Sequence, residues 1–310
     1  MRKEEITYDS RDGKSKIYAC KWIPEGEPKA IFQIIHGMAE HIARYEDFAT
    51  YLCERGFLVM GEDHLGHGRT AALNNSKKGY FCKQHGDTVI VRDVHRLKKM
   101  VQNEYPGVPI FILGHSMGSF MIRNYMYRYG TGITGAIVMG TGHQPRGLLR
   151  VSRAIASVQG FIFGDDHTSN LINIMAFGSY NKRIKNARSH FDWLSRDEAQ
   201  VQKYIDDPDC GFTFTVGGFK VLFKLLWKLT DSENIEQMPP ELPVLMVSGD
   251  ADPVGEYGEA VKKVYASYSE LGMKDVTLKL YRDDRHEILN ELDHDEVYAD
   301  IYNWVCKYLN

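Results

Sequence analysis

Ser116 stands between two glycines in Gly114-His115-Ser116-Met117-Gly118. There a short apolar run, Ile110 to Leu113, gives way to a helical pattern over Ser119–Tyr129. A serine on a sharp strand-to-helix turn can attack a carbonyl carbon. Small neighbours let the backbones pass, and the turn holds the hydroxyl outward. The next N–H, on Met117, then points to where an oxyanion would form. The five-residue pattern alone is cheap, since a Gly-rich turn with an inert serine is spelled the same way. Context has to decide. A serine nucleophile needs a base, and the base needs an orienting acid. His286 lies in the charged loop Arg282-Asp-Asp-Arg-His-Glu287, after the last strand-like run. His294 competes, but it opens the last helical pattern and reads as an exposed helix-start residue. Asp250 and Asp252 both stand in Ser248-Gly-Asp-Ala-Asp-Pro253, after an earlier strand. Asp250 directly follows Gly249 and can bond within its own turn, which favours Asp252. Ser116, Asp252 and His286 thus follow one another as nucleophile, acid and base, each just after an expected strand. Three roles on three strand ends arise by accident far less often than any one motif. A second oxyanion donor is expected after the third strand, in His36-Gly37-Met38, as the Met38 N–H. Each donor is worth roughly 3 kcal/mol.

Other chemistries fit less well. Twelve histidines invite a metal, and His64-x-x-His67 or His36…Glu40-His41 would be its ligands. The second spacing carries one residue too many for His-x-x-Glu-His. His64 and His67 lie in a Gly-rich loop and not on one helical face. The expectation is therefore no metal and no cofactor. A hydrolase of peptides or amides remains open, since His286 could protonate a departing amine. A catalytically silent binding protein would usually have lost a triad member, and none is missing.

The elements that must position these residues read as an α/β chain. Strands are expected at 4–9, 16–23, 30–35, 57–60, 110–113, 136–139, 244–247 and 276–281, and the first two are joined by a turn at Ser10–Gly13. Helices are expected at 44–55, 87–103, 119–129, 258–271 and 296–309. The alternation implies a mostly parallel eight-stranded sheet covered on both faces, with ligands at the carboxyl ends of its strands. The residues above all lie at those ends. From about 144 to 238 the rhythm breaks into helical patterns without a core strand. The expected division is thus a core of 1–143 and 239–310 with a helical cap at 144–238. Within the cap, Phe219–Leu229 is apolar around most of its circumference, save one stripe of Lys220, Lys224 and Lys228. Such a helix is either cap core or a lipid-facing lid able to touch a membrane surface.

Composition sets outer limits. A chain of 310 residues with 43% hydrophobic content can bury a large core. A net charge of −3 and a pI near 6.5 argue against nucleic-acid binding. The N-terminus lacks the apolar stretch of a signal peptide, and no apolar run reaches membrane-spanning length. Five scattered cysteines without Cys-x-x-Cys fit reduced thiols in a cytoplasm. The expected partner is a small lipid or ester; nothing in the pattern sets an oligomeric state.

The segments 36–45 (His-Gly-Met-Ala-Glu-His-Ile-Ala-Arg-Tyr), 63–69 (Asp-His-Leu-Gly-His-Gly-Arg), 114–118 and 249–252, with His286, resemble the monoacylglycerol lipase and lysophospholipase branch of α/β-hydrolases, also grouped as serine aminopeptidase S33-like. The resemblance spans the whole core. It implies an α/β-hydrolase fold with an inserted helical cap, and a serine carboxylesterase acting on monoacylglycerols or lysolipids. It further implies Ser116 as nucleophile, Asp252 as acid, His286 as base, and Met38 and Met117 as oxyanion donors. Glu40 and Arg44 are implied near a polar substrate pocket, though a surface Glu–Arg pair would look identical. In the cap the match is loose, although 192–196 and 207–212 are similar to bacterial members.

Overall fold

The computed structural model describes residues 1–309. Its centre is one eight-stranded sheet, ordered β1-β2-β4-β3-β5-β6-β7-β8. β1 (Arg2–Asp9) and β2 (Lys16–Ile23) form an antiparallel hairpin, and β2 pairs antiparallel with β4. Every later pairing is parallel. β3 (Ala30–Ile35), followed by a 3-10 turn and α1 (Glu46–Cys53), leads to β4 (Phe57–Glu62). After α2 (Gly68–Leu73) and α3 (Gly86–Glu104) come β5 (Ile110–His115) and α4 (Met117–Tyr129). β6 (Gly135–Met139) precedes the long connection to β7 (Val244–Gly249). That connection holds α5 (Arg146–Phe163), α6 (Asn170–Phe177), α7 (Glu198–Asp206), α8 (Val216–Lys228) and the short α9 (Ser232–Ile235). The chain closes with α10 (Glu259–Glu270), β8 (Val276–Tyr281) and α11 (His294–Cys306).

β3 to β7 are buried along their whole length, because helices cover both faces of the sheet. Two large apolar clusters result, one per face. β3 lies between β4 and β5, so the strand order reverses at its carboxyl end. That is where a doubly wound sheet opens a crevice for ligand. Among the described residues no helix is long and apolar enough to cross a membrane.

Two local expectations change. The segment expected as a helix from residue 44 begins as a 3-10 turn, Ile42–Tyr45, because the Asp63 carboxylate accepts the Ile42 N–H at 2.8 Å. The loop after β4 contains a helix that the reading of loop residues passed over, α2. Its entry is organised by the same Asp63, which also accepts the Arg69 N–H at 2.7 Å.

The larger correction concerns α8. Its outward surface is not a lipid-facing lid. Phe219 and Leu225 are fully buried, and Leu222, Phe223 and Leu226 face an internal cavity. Each lysine of its stripe is paired with a carboxylate: Lys220 with Asp165, and Lys224 and Lys228 with Asp87 of α3. Burial favours the neutral form of Asp87, but the two lysines outweigh it and hold its carboxyl below the usual range. α8 is the packed floor of the segment between β6 and β7. The exposed apolar side chains of that segment sit on α5 and α6 instead.

Candidate active site

β5 ends in His115 and α4 starts at Met117, so Ser116 alone makes the turn. Its backbone is held at φ 53° and ψ −118°. A non-glycine residue there stores about 1–3 kcal/mol of strain. The surroundings impose it. The Ser116 N–H donates to the Met139 carbonyl at 3.0 Å, and the Ser116 carbonyl accepts the Ser119 and Phe120 N–H groups. The flanking glycines are steric necessities. A Cβ on Gly114 would collide with the Gly118 carbonyl, and one on Gly118 with the Ile35 carbonyl of β3.

The loop after β3 passes directly over the serine: a Cβ on Gly37 would lie 3.0 Å from the Ser116 Cβ. Met38 follows, and neither its N–H nor that of Met117 bonds to another described residue. Met117 has no partner for a general reason, because the first N–H groups of a helix lack intrahelical acceptors. Both amides border the cavity that contains Ser116.

His286 and Asp252 meet as well. The His286 Nδ1 lies 2.9 Å from Asp252 Oδ2. Asp252 is fully buried and also accepts the Val254 N–H at 2.8 Å. Asp250 does not contact His286; its carboxylate bonds not within its own turn but to the loop after β8, accepting the Asp283 N–H at 2.7 Å. His294 opens α11, half-exposed, with Nδ1 against the Glu291 carbonyl. The His286 ring is wedged between Trp193, at 5.0 Å, and His115, at 4.7 Å. Backbone bonds from His286 to the Trp193 carbonyl and from Glu287 to the Leu194 carbonyl clamp its loop against the segment between α6 and α7. His286 and Ser116 line one cavity of about 760 Å³, although no hydrogen bond joins their side chains.

Glu40 and Arg44 lie in a buried network beneath this cavity. Glu40 accepts from the Gly37 N–H at 2.5 Å, Tyr45 Oη at 2.9 Å, His115 Nδ1 at 3.1 Å and Arg44 Nη1 at 2.8 Å. Arg44 then grips Glu287 with two bonds of 2.7 Å. His115 Nε2 meets the His286 carbonyl at 3.2 Å. Both ring nitrogens of His115 therefore face acceptors, as an imidazolium requires. Burial opposes that charge, but the Glu40 carboxylate outweighs it and raises the His115 pKa. Burial likewise opposes the Glu40 charge, and His115 and Arg44 overcome it, holding the carboxyl well below its usual range. The network ties the loop after β3, the elbow and the His286 loop into one unit. His115, Glu287 and Trp193 received no role from the sequence. Only adjacency to Ser116 and His286, and a place in the 192–196 segment, marked them.

This network predicts a pH-dependent variant. Glu40→Gln lowers stability by about 3 kcal/mol, the cost of breaking a buried ion pair. His115, raised in the fold, contributes stability that is present below its ordinary 6.5 and lost as pH rises through the folded value. Glu40, depressed, contributes stability that is present above its ordinary 4.5 and lost as pH falls. The deficit in urea unfolding is therefore largest between 4.5 and 6.5 and shrinks on both sides. A deficit that does not vary with pH contradicts the ion pair.

The histidines that suggested metal ligands hold backbone. His36 Nε2 accepts the His64 N–H at 3.1 Å, and His64 Nε2 lies 3.2 Å from the His36 carbonyl. His67 accepts the Ala39 N–H through Nε2, while its Nδ1 lies 3.0 Å from the Leu65 carbonyl. Burial lowers the pKa of His67 to about 3 and that of His36 well below its usual value. Two other groups bring three donor atoms within 4.8 Å, His41–Asp207–Cys210 and Asp284–Glu291–Asp293. In the first, His41 is bonded to Asp207 and burial pushes the Cys210 thiol well up. In the second, Arg196 pairs with all three carboxylates.

Comparison with known proteins agrees with the fold. The chain is 28% identical to rat (Rattus norvegicus) monoglyceride lipase over 300 residues, covering 93% of this chain and 86% of the rat protein. It is 27% identical to monoacylglycerol lipase of Mycolicibacterium smegmatis over 301 residues, covering 96% and 95%. A crystal structure of a highly thermostable carboxyl esterase from Bacillus coagulans in complex with glycerol superposes with a TM-score of 0.92, at 30% identity and full coverage of both chains. A family model described as serine aminopeptidase, S33, matches residues 26–293. The chain therefore belongs to the serine aminopeptidase S33 family and is a monoglyceride lipase-like hydrolase of the α/β-hydrolase fold.

Proposed function

We propose that the chain is a serine carboxylesterase that cleaves monoacylglycerols and similar single-chain lipid esters through an acyl-enzyme. In this reading His286 Nε2 takes the Ser116 proton as Oγ attacks the ester carbonyl. The Met38 and Met117 N–H groups hold the resulting oxyanion. Asp252 fixes the tautomer with the proton on Nδ1 and stabilises the imidazolium. His286 gives its proton to the departing glycerol oxygen, then activates a water that releases the fatty acid. The observation that carries the reading is the 2.9 Å contact of His286 with Asp252, with the imidazole in the same cavity as Ser116.

Residues 144–238 act as the cap, and substrate choice follows from their side chains. Leu149, Ile172, Phe177, Phe223 and Leu226 give the cavity apolar walls suited to an acyl chain, while Asn181 and His190 offer polar contacts to a headgroup. The names of the rat and mycobacterial relatives point the same way. The family description also names an aminopeptidase. A substrate with a free α-amine calls for an uncommitted carboxylate, and both that border the cavity are already committed, Glu40 to Arg44 and His115 and Glu287 to Arg44. That favours esters. Five free cysteines fit a reducing cytoplasm.

A panel of p-nitrophenyl esters, monoacylglycerols, lysolipids and aminoacyl amides tests the assignment. Decanoyl esters should outpace acetyl and butyryl ones, and monoacylglycerols should outpace amides. Faster turnover of the shortest esters, or of aminoacyl amides, contradicts it.

A further inference from the structure

Arg196, two residues before α7, reaches into the loop that carries His286. Its Nε donates to Glu291 Oε2 at 3.0 Å and its Nη2 to Asp293 Oδ1 at 2.7 Å, while Nη2 also meets Asp284 Oδ1. Its backbone N–H donates to Glu291 Oε1 at 3.0 Å, and the same oxygen accepts the Arg285 N–H at 2.9 Å. Asp284 and Glu291 are fully buried. Arg285 returns the contact, donating from Nη1 to the Asp192 and Ser195 carbonyls at 2.6 and 2.9 Å. Asp284 also touches the loop of the acid. Its carbonyl accepts the Ala251 N–H at 2.9 Å, next to Asp252, and a Cβ on Gly249 would collide with it. One side chain from outside both loops thus grips the residue at which the loop of the base meets the loop of the acid.

Three carboxylates within 4.8 Å of one another disfavour ionisation of the whole set. The bonding marks the one that keeps a proton. Asp284 Oδ2 is buried and finds no donor, so a proton there breaks no bond and can be given to the Asp293 carboxylate. Burial, the Glu291 charge and that bond to Asp293 raise the Asp284 pKa to about 8, with Arg196 pulling the other way. Burial opposes the Asp293 charge, but the bond from Asp284 and the Arg196 guanidinium outweigh it, holding its carboxyl below the usual range. The charged groups around Asp284 are thus Glu291 and Asp293 before α11, Arg196 before α7 and the adjacent Arg285. The loop after β7 meets it through the Ala251 N–H. At neutral pH the cluster is one guanidinium held by two carboxylates and one carboxylic acid.

We propose that Arg196 is a positioning residue for the general base, holding the His286 loop in register with Asp252 and Ser116 through a cluster whose grip needs the proton shared by Asp284 and Asp293. This rests on the serine-esterase reading and gives the segment before α7 a part in turnover as well as in substrate choice. Ionisation of Asp284 leaves three carboxylates around Arg196 and loosens the loop, and a misplacement of about 1 Å costs on the order of 100-fold in rate. The grip is therefore present at neutral pH and lost as pH rises through about 8. Steady-state kinetics on a soluble p-nitrophenyl ester tests it. Arg196→Gln should lower kcat by on the order of 10- to 100-fold and change KM by less than about threefold, because the walls that bind the acyl chain are untouched. The wild-type kcat should fall above about pH 8, and Asp284→Asn should remove that fall, since the amide still donates to Asp293 and does not ionise. A merely structural ion pair would lower the urea midpoint of the variants and leave kcat per folded molecule and its pH profile as they are. A wild-type kcat in folded Arg196→Gln overturns the proposal, as does an alkaline fall that Asp284→Asn keeps. Where Arg196→Gln does not fold, the Asp284→Asn profile decides alone. A wild type without ester turnover, or turnover that survives Ser116→Ala, would sink the esterase reading and this proposal with it.

Discussion

Ser116→Ala lowers turnover of p-nitrophenyl and monoacylglycerol esters by on the order of 10⁶-fold, as loss of a triad nucleophile does in serine hydrolases. Alanine keeps the Cβ and the elbow geometry, so the fold and the Met38 and Met117 amides stay in place. The residual rate is whatever the amide cradle and binding supply. The strain at Ser116 adds a second readout. Its φ of 53° and ψ of −118° are far easier for glycine. Ser116→Gly should therefore raise stability in urea unfolding by about 1–2 kcal/mol while abolishing turnover. A residue that costs stability where it stands, and whose removal ends activity, is held there for its chemistry. Substantial activity in either variant rules Ser116 out as nucleophile.

Asp252→Asn reduces kcat by roughly 10⁴-fold at neutral pH. The amide can donate to His286 Nδ1 where the carboxylate accepts, which selects the wrong tautomer and leaves the imidazolium without its counter-charge. Burial amplifies the effect: Asp252 is fully excluded from solvent, so no water replaces the lost interaction. Asp250→Asn is the paired control. That carboxylate is exposed and accepts only the Asp283 N–H, so its loss changes kcat by less than about threefold. Measuring both by steady-state kinetics separates two acids two residues apart. Equal losses would mean that the whole loop, and not the Asp252–His286 contact, matters.

The parts of the fold legible in sequence are those governed by short-range pattern. A sheet covered on both faces needs continuous apolar runs, and Ala30–Ile35, Ile110–Leu113 and Val244–Val247 are such runs in the structure. Polar loops at their ends then had to share one edge, which brought Ser116, Met38, Asp252 and His286 into view together. The fold family follows from the same segments and agrees with the comparisons. The supporting shell was hidden because its bonds join residues far apart in the chain. His115 meets Glu40 across 75 positions and the His286 carbonyl across 171. No local spacing encodes either contact. The lysine stripe of α8 was ambiguous for the same reason. Its meaning depends on Asp87, an element away, which turns an apparent membrane face into a packed interior one.

The most direct test of the central claim is the intact mass of the protein after a fluorophosphonate, followed by peptide mapping. One adduct per chain is expected, on Ser116, formed in step with loss of esterase activity and absent from Ser116→Ala. An adduct elsewhere, or full inhibition with Ser116 unmodified, would contradict it.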